Sequence, residues 1–344
     1  MAKKRRPPPA PLPPPKRHAR RGTDWRPQIA VVAGFAVFVL VVLGVIVYGW
    51  WDSQVGPPHS KALRVGDTTL NVDFFSRRLN VTLQEFGLIG SGQQIDSNTV
   101  GAFTSYVATV LEQEILVRQR APVDLGLTVT PDEVEGEIAS RLSVSRDDAV
   151  KFQVAYAAEL KKKDLSDKEY REMVEASVLG TKAQDGFVRA AAEAADQVRI
   201  RLIQVGARED ADKVVERLNA GEDFAVVAKE MSADTATKDK DGEKGWVTIE
   251  QLEDSYGAKV FALDVGQRSE PLEAQGGSLT TQGGFLIIEV EEKQAGRPLE
   301  SDQRTAVGGR YFALWLDEQR TLLPTTNYVL ADADKYQWVV SHAL

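Results

Sequence analysis

The chain has 344 residues, no cysteine and three histidines, and its formal net charge is −8. The absence of cysteine excludes disulfides, thiol nucleophiles and a lipid-anchored lipoprotein. Because His18, His59 and His342 lie outside the middle of the sequence, the central part also lacks the histidine that a zinc site or a Ser-His-Asp triad requires. We therefore expect neither a metal nor a cofactor. Hydrophobic residues make up 43% of the chain, which predicts a folded core.

Charge is distributed unevenly along the sequence. Residues 1–27 hold nine Lys or Arg and one Asp, which leaves 33 basic and 49 acidic residues in the rest of the chain, a net charge of −16 there. Because nucleic-acid binding needs a basic surface, the acidic remainder argues against a nucleic-acid partner.

The basic tail, residues 1–27, is also rich in proline between Pro7 and Pro15. Such a composition predicts an extended, disordered segment. We favour a solvated tail that is attracted to anionic lipid over one that docks in an aromatic groove.

Residues 28–51 are predicted to form a transmembrane helix. The 23 residues from Ile29 to Trp51 carry no charge and would extend about 34 Å as a helix, enough to cross the hydrocarbon core. Trp50 and Trp51 lie at its end, where aromatic side chains favour the lipid–water interface. All nine basic residues of the tail precede the segment, so we predict a single-pass protein of the cell membrane. Its N-terminus would be cytoplasmic and its acidic part extracytoplasmic.

A cleaved signal peptide is the alternative interpretation of this segment. Its apolar stretch is longer than that of a signal peptide, and no small-x-small cleavage site follows Trp51. The uncleaved anchor is therefore preferred.

Residues 60–195 read mainly as helices. A short strand and turn are predicted over Leu63–Leu70, followed by a helix from about Asn71 and a long amphipathic helix capped by Ser97. Further helix starts are indicated by the capping boxes that begin at Thr130 and Ser166 and by a cap at Ser145. An all-α domain follows from this pattern.

Two stretches of the helical region, LEQEILV at residues 111–117 and LGLTVT at residues 125–130, resemble the N-terminal module of SurA/PrsA/PpiD-type extracytoplasmic foldases. The resemblance implies a chaperone domain that a C-terminal helix, about residues 301–323, returns to complete. Tyr311 and Leu314 are among the side chains expected to pack in that helix. The alternatives are an unrelated helical domain and a C-terminal helix that packs on the second domain. Residues 324–344 are predicted as a C-terminal extension.

Residues 196–298 alternate between strand and helix patterns. The alternation of Val198, Ile200 and Leu202 with arginines predicts a strand. Helices are indicated from Asp210, from the cap Asp223 and over residues 258–262, and strands over residues 268–272 and 285–291. This order predicts an α+β domain.

Four stretches in this region, EDFAVVAKEMS (222–232), GEKGW (242–246), VFALDVG (260–266) and GFLIIEV (284–290), together resemble a parvulin-type peptidyl-prolyl cis-trans isomerase domain. The resemblance implies a small antiparallel sheet wrapped by short helices. It also implies an enzyme that rotates X-Pro bonds in unfolded or secreted polypeptides. A generic α+β domain is the alternative.

The resemblance assigns roles to individual residues. Leu252, Tyr256 and Phe261 map to the apolar cup that holds the prolyl ring, and Asp234 maps to the side chain that faces the isomerising bond. Equally simple alternatives are that the three cup residues belong to the core and that Asp234 caps its own loop.

The sequence departs from the parvulin pattern at the two positions that usually carry histidine, which are Leu202 and Leu286 here. Losing both partners together leaves no unsatisfied donor, so the fold can remain sound. We predict weak or absent isomerase activity with retained peptide binding.

Three functions remain open on the sequence. The first is a membrane-anchored foldase for secreted proteins with reduced isomerase activity. The second is a holdase chaperone with a catalytically inactive parvulin domain, and the third is a structural envelope protein without client polypeptides.

Overall fold

The structure, a computed structural model, describes residues 39–47, 49, 56–89, 95–275 and 283–344. The chain divides into two compact units, residues 1–57 and residues 58–344. In the first unit, residues 39–47 form helix α1, whose apolar side chains are exposed. No helix within the described ranges is both long enough and apolar enough to cross a membrane. Most of the predicted transmembrane segment, together with the whole basic tail, lies outside the described residues.

A three-stranded antiparallel sheet forms one side of the helical region. After the short helix α2 (Gly56–His59), strands β1 (Lys61–Val65) and β2 (Thr68–Asn71) form a hairpin, which confirms the strand and turn expected over Leu63–Leu70. Strand β7 (Thr325–Asn327), from near the C-terminus, pairs with the other edge of β1. The sheet order is therefore β2-β1-β7. The helical region thus contains a small sheet, which the prediction of an all-α domain left out because β7 comes from a distant part of the sequence.

Five helices make up the central part of the helical region: α3 (Val72–Glu85), α4 (Ser97–Asp124), α5 (Pro131–Leu142), α6 (Ala149–Lys163) and α7 (Asp167–Ala190). Both predicted capping boxes are present, with Thr130 and Ser166 as the N-caps of α5 and α7. The predicted caps of α4 and α6 were wrong, because Asp96 and Asp148 accept the backbone hydrogen bonds at those helix starts. Aspartate is as favourable an N-cap residue as serine. The observed caps therefore lie one and three residues from the predicted ones, Ser97 and Ser145.

The C-terminal part of the chain packs on these helices. Helix α11 (Ser301–Leu322) buries Phe312, Trp315 and Leu316 in the same core as residues of α4 and α7. Tyr311 and Leu314, predicted to pack, are instead 41% and 47% exposed, because they lie on the outer face of the helix.

Helices α12 (Tyr328–Ala331) and α13 (Ala333–Ala343) follow β7. Helix α13 lies on α3, where the buried Ser76 hydroxyl donates to the Val339 carbonyl at 3.2 Å and the Asn80 amide donates to the Ala343 carbonyl at 2.7 Å. Residues 325–343 therefore contribute directly to the core of the helical region.

The region between α7 and α11 contains a four-stranded antiparallel sheet in the order β4-β3-β6-β5. Its elements, in chain order, are β3 (Ala194–Val205), α8 (Arg208–Asn219), α9 (Phe224–Met231), a 3₁₀ turn (Lys238–Lys240), β4 (Glu243–Val247), a second 3₁₀ turn (Ile249–Gln251), α10 (Gly257–Ala262), β5 (Leu272–Ala274) and β6 (Gly284–Pro298). The α+β architecture with a small antiparallel sheet and short helices is thereby confirmed.

Strand boundaries in this sheet differ from the predictions, beginning with β3, which starts at Ala194 and not at Val198. β4 was predicted as part of a loop, and β6 continues seven residues beyond its predicted end. Of the strand predicted over residues 268–272, Arg268 makes a single bridge to Glu289, and only Leu272 enters β5. These lengths are set by hydrogen bonding to neighbouring strands, which local sequence does not reveal.

The two faces of the sheet bury different side chains. Ile203, Val205 and Ile287 face helices α8 and α9 in one hydrophobic cluster. Val198, Ile200 and Leu202 belong to a second cluster together with residues of α10. The alternation of β3 thus divides the domain into a helix-packed face and a second face that carries the candidate site.

Candidate functional site

The two leucines at the histidine positions are fully buried on the second face of the sheet. Leu202 on β3 and Leu286 on β6 are both 0% exposed and share one hydrophobic cluster. In the antiparallel register Leu202 lies opposite Ile288, and Leu286 lies opposite Gln204. Leu202 and Leu286 are therefore diagonal neighbours on one face.

The three predicted cup residues join the same cluster. Leu252 and Tyr256 are 6% and 2% exposed, and the half-buried Phe261 packs at the edge. The structure thus brings together five of the six residues that the sequence singled out. We name this group, Leu202, Leu252, Tyr256, Phe261 and Leu286, the apolar cup after its predicted role. Four of its five members are almost fully buried, which also fits the alternative that they are core residues.

Local backbone structure holds the helical side of the cup in place. Gly257 begins α10, and a Cβ atom there would lie 3.2 Å from the Leu252 Cβ, so glycine allows the helix start to approach the preceding turn. The Lys293 ammonium group donates to the Phe261 carbonyl at 2.7 Å and ties the helix end to β6. Both contacts fix the cup residues of α10 relative to the sheet.

The hydroxyl of Tyr256 is buried within this apolar environment. It has no hydrogen-bond partner among the described residues. Burial, and to a lesser degree the nearby Glu253 carboxylate, raises the pKa of Tyr256 to about 12. The phenol therefore keeps its proton at neutral pH and remains a hydrogen-bond donor.

Asp234 lies in the loop after α9, and its carboxylate is directed to that loop. The Thr237 hydroxyl donates to Asp234 Oδ2 at 2.6 Å, and the Ala236 amide donates to Oδ1 at 3.2 Å. The Asp234 carbonyl also accepts from the Lys238 amide at 3.0 Å. These contacts match the loop-capping alternative for Asp234.

A polar residue that the sequence interpretation missed, Gln204, connects this loop to the cup. Gln204 is 4% exposed on the cup face of β3, directly opposite Leu286. Its carbonyl accepts from the Ala233 amide at 2.7 Å, and its side-chain amide donates to the Gly283 carbonyl at 3.3 Å. The alternation of Val198, Ile200 and Leu202 continues to residue 204, so the pattern did contain the signal for an inward polar side chain.

The GEKGW stretch brings the same loop back to β3. The Leu202 amide donates to the Gly242 carbonyl at 2.8 Å. Gly242 has φ of +80°, and a Cβ atom there would lie 2.8 Å from the Leu202 carbonyl oxygen. Only glycine fits this close crossing, which places the loop against the strand that carries Leu202.

Metal ligands are not grouped in this region. Within the ranges that the structure describes, no set of three or more His, Asp or Glu side chains is placed to hold a metal ion. The polar groups around the cup include hydrogen-bonding amides and hydroxyls and the carboxylates of Asp234 and Glu253.

Comparison with known protein families agrees with the two-part architecture. Residues 23–184 match the family model described as SurA-like N-terminal domain, and residues 181–292 match the one described as PPIC-type PPIASE domain. The chain thus combines a SurA-like N-terminal domain with a PpiC-type domain, the parvulin class of peptidyl-prolyl isomerase fold. This confirms the resemblance seen in the sequence motifs.

Named relatives belong to the same class. A foldase protein PrsA of Caldanaerobacter subterraneus is 36% identical over 99 residues, which cover 29% of this chain and 30% of the relative. The periplasmic chaperone PpiD of Haemophilus influenzae is 31% identical over 120 residues, or 33% of this chain and 18% of that protein. The matches thus span less than a third of either relative.

Among solved structures, the peptidylprolyl isomerase PrsA of Bacillus anthracis aligns with 67% of this chain and 93% of its own, at 17% identity and a TM-score of 0.39.

Proposed function

We propose that this protein is a membrane-anchored, extracytoplasmic foldase whose parvulin-type domain isomerises X-Pro bonds with reduced turnover. The observation that carries the proposal is the apolar cup of a PpiC-type domain, in which the two positions expected to hold histidine are Leu202 and Leu286. Its substrates would be unfolded polypeptides after export.

The chemistry of the reaction fits an apolar site. Rotation about an X-Pro bond faces a barrier of about 18–20 kcal/mol and takes tens to hundreds of seconds without a catalyst. The twisted amide has less charge separation than the planar one, so a site that excludes water favours it. The cup supplies apolar side chains for the prolyl ring and requires no nucleophile or metal.

Reduced turnover follows from the two leucines. Leu202 and Leu286 occupy the two positions of the sheet at which the parvulin pattern has a hydrogen-bonded histidine pair, and the polar side chain that lies beside them is the Gln204 amide. The apolar side chains proposed to receive the prolyl ring are present in one cluster, whereas the histidine pair that would orient the isomerising bond is missing.

Restoring the histidines tests this proposal. In the full chain, the double variant L202H/L286H is expected to raise the rate constant for X-Pro isomerisation at least about tenfold, as loss or gain of a well-placed polar contact typically does. A protease-coupled assay on a proline-containing tetrapeptide measures this rate. Either single variant is expected to gain less, because each buries one unpaired imidazole.

The matched control is L272H. Leu272 lies in the same cluster and opposite Leu286 across β5 and β6, but the parvulin resemblance gives it no histidine. If L272H accelerates isomerisation as much as the double variant, or if the folded double variant gains nothing, the proposed catalytic role of this face is wrong. If the protein suppresses aggregation of an unfolded client but neither the wild type nor the double variant isomerises X-Pro bonds, it is instead a holdase.

The proposed membrane anchor and extracytoplasmic location are supported by the sequence and by the name of one relative. The uncharged stretch Ile29–Trp51 follows a basic tail, and one relative is named a periplasmic chaperone. Protease added to cells whose outer layers are permeabilised should degrade the acidic part while the inner membrane stays intact. Protection of that part would contradict the proposed topology.

A further inference from the structure

The sheet domain, which consists of β3 to β6 and the helices between them, is joined to the helical region by two short connections. Residues 191–193 separate α7 from β3, and residues 299–300 separate β6 from α11. The Leu299 amide donates to the Glu193 carbonyl at 2.9 Å, so the two connections are also hydrogen-bonded to each other. Neither connection is long enough to act as a flexible linker.

A buried polar network lies where these connections meet α11. Gln303, on the first turn of α11, is 2% exposed, and its side-chain amide donates to the Trp246 carbonyl and to Gln197 Oε1, both at 2.9 Å. Gln197 is 1% exposed and donates in turn to the Arg297 and Pro298 carbonyls at 3.1 and 3.2 Å. Both glutamines use the oxygen and the nitrogen of their side chains. A buried network whose polar atoms are all paired favours a single arrangement of the elements that it joins.

Apolar contacts close the same junction. Ala191, Leu299 and Val307 form one buried cluster, which joins the C-cap of α7, the connection after β6 and α11. A Cβ atom at Gly308 would lie 2.5 Å from the Val188 Cα atom, so the backbones of α11 and α7 are in contact there. The junction is therefore closely packed as well as hydrogen-bonded.

The contacts of α11 with the two parts of the chain alternate along the helix. Gln303 bonds to the sheet domain, and Gly308 lies against α7. Arg310 then pairs with Asp254 of the sheet domain at 2.9 Å, and Phe312 belongs to the core of the helical region. Helix α11 is continuous over this stretch, which is about 14 Å long at helical rise. Because both sets of contacts share one short helix, the sheet domain cannot rotate against the helical region without breaking one set.

We propose that α11 is a clamp that joins the sheet domain and the helical region into one rigid body. Domains within one chain ordinarily move relative to each other unless a large interface joins them. Here the short connections, the buried glutamine network and the alternating contacts of α11 remove that freedom. The face of the sheet that carries the apolar cup therefore keeps one orientation to the helical region. This inference is independent of isomerase activity.

The absence of cysteine from the chain allows a direct measurement of this rigidity. Spin labels are attached to pairs of introduced cysteines in the full chain in lipid nanodiscs, and double electron–electron resonance gives the distance distribution of each pair. The pair A102C/E209C joins α4 to α8 across the junction, whereas A102C/A157C joins α4 to α6 within the helical region. All three positions are exposed. In the wild-type background both pairs should give a single narrow distance.

The double variant Q303A/R310A removes two polar contacts of α11 with the sheet domain. It should broaden the distance distribution across the junction at least about twofold, as expected of domains that move independently. The pair within the helical region should keep its width.

The matched control is Q319A/R320A. It removes a glutamine and an arginine from the same helix, but their side chains contact α4 within the helical region. The distribution across the junction should therefore stay as narrow as in the wild type.

A broad or multiple distance across the junction in the wild type would overturn the inference, whatever the variants show. So would an unchanged distribution in Q303A/R310A, or equal broadening in Q319A/R320A. If the pair within the helical region also broadens in a double variant, the fold of that variant is lost, and the single variants Q303A and Q319A are compared by the same criteria.

Discussion

Glu169 both caps the N-terminus of α7 and forms an ion pair that joins α7 to α3. Its carboxylate accepts from the Ser166 amide at 2.8 Å, as the capping box of α7, and from the Arg77 guanidinium of α3 at 2.8 Å. The hydrogen bond from Arg77, followed by that from Ser166, outweighs burial and lowers the pKa of Glu169 to about 2.

This lowered pKa predicts an acid-dependent loss of stability. Glu169 titrates near its ordinary value of 4.5 in the unfolded chain and near 2 in the folded protein, so the unfolded state binds more protons between these values. Its stabilisation is complete above about pH 4.5 and is lost as the pH falls toward 2. E169Q should lower the free energy of unfolding by about 1–2 kcal/mol at pH 7. It should also flatten the pH dependence of that free energy between about pH 2 and pH 4.5.

Urea unfolding of wild type and E169Q from pH 2.5 to 7 measures both effects. E216Q, at an exposed carboxyl of α8, is the control and should track the wild type. An acid dependence of E169Q as steep as that of the wild type would show that Glu169 does not carry the stabilisation.

The candidate site was predictable from sequence in its residue types but only partly in its contacts. The alternation of β3 and the parvulin-like motifs singled out Leu202, Leu286 and the three cup residues, which the structure brings into one cluster. The orientation of the Asp234 carboxylate toward Thr237 depends on a loop turn that short sequence patterns leave undetermined. Gln204 was overlooked because its inward position conflicts with its polarity.

At the scale of elements, the glycine pair in α11 has a structural explanation. Sequence propensity predicts that Gly308-Gly309 weakens the helix, yet α11 continues through both. A Cβ atom at Gly308 would lie 2.5 Å from the Cα atom of Val188, whereas at Gly309 the nearest atom would be the Gln184 Nε2 at 4.0 Å. Gly308 therefore permits the close approach of α11 to α7.

Substitution by alanine should change the free energy of unfolding in opposite directions at Gly308 and Gly309. G308A forces the helices apart against backbone atoms and should lower the free energy of unfolding by about 1–3 kcal/mol. G309A places its methyl group in open space and should raise it by up to about 1 kcal/mol, through helix propensity. Urea unfolding of the two variants measures the difference; equal effects in the two variants would contradict the packing at Gly308.

Helix starts were predictable to within a few residues because caps are local. Thr130, Ser166 and Asp223 each accept the backbone hydrogen bond expected of them, and Asn71, near which a helix start was predicted, is the N-cap of α3. Strand β4 was not predicted, because its pairing with β3 comes from residues more than 40 positions away. Local propensity cannot report such non-local pairing.

At the scale of the whole molecule, α11 connects the sheet domain with the helical region. Near its start the buried Gln303 amide donates to the Trp246 carbonyl and to the Gln197 side chain, both at 2.9 Å. Arg310 pairs with Asp254 at 2.9 Å, two residues from the cup residue Leu252. Its second half, with Phe312 and Trp315, lies in the helical core. From the sequence, the return of this helix to the helical region was the preferred prediction and packing on the second domain was the alternative; α11 makes both contacts.

The cup face of the sheet is proposed to bind X-Pro segments and to speed their isomerisation. Exchange NMR on a proline-containing peptide with the wild-type protein measures this directly. It should show cis-to-trans exchange faster than the uncatalysed tens of seconds, with chemical-shift changes centred on Leu202, Phe261 and Leu286. An unchanged exchange rate together with unperturbed resonances at these residues would contradict the account.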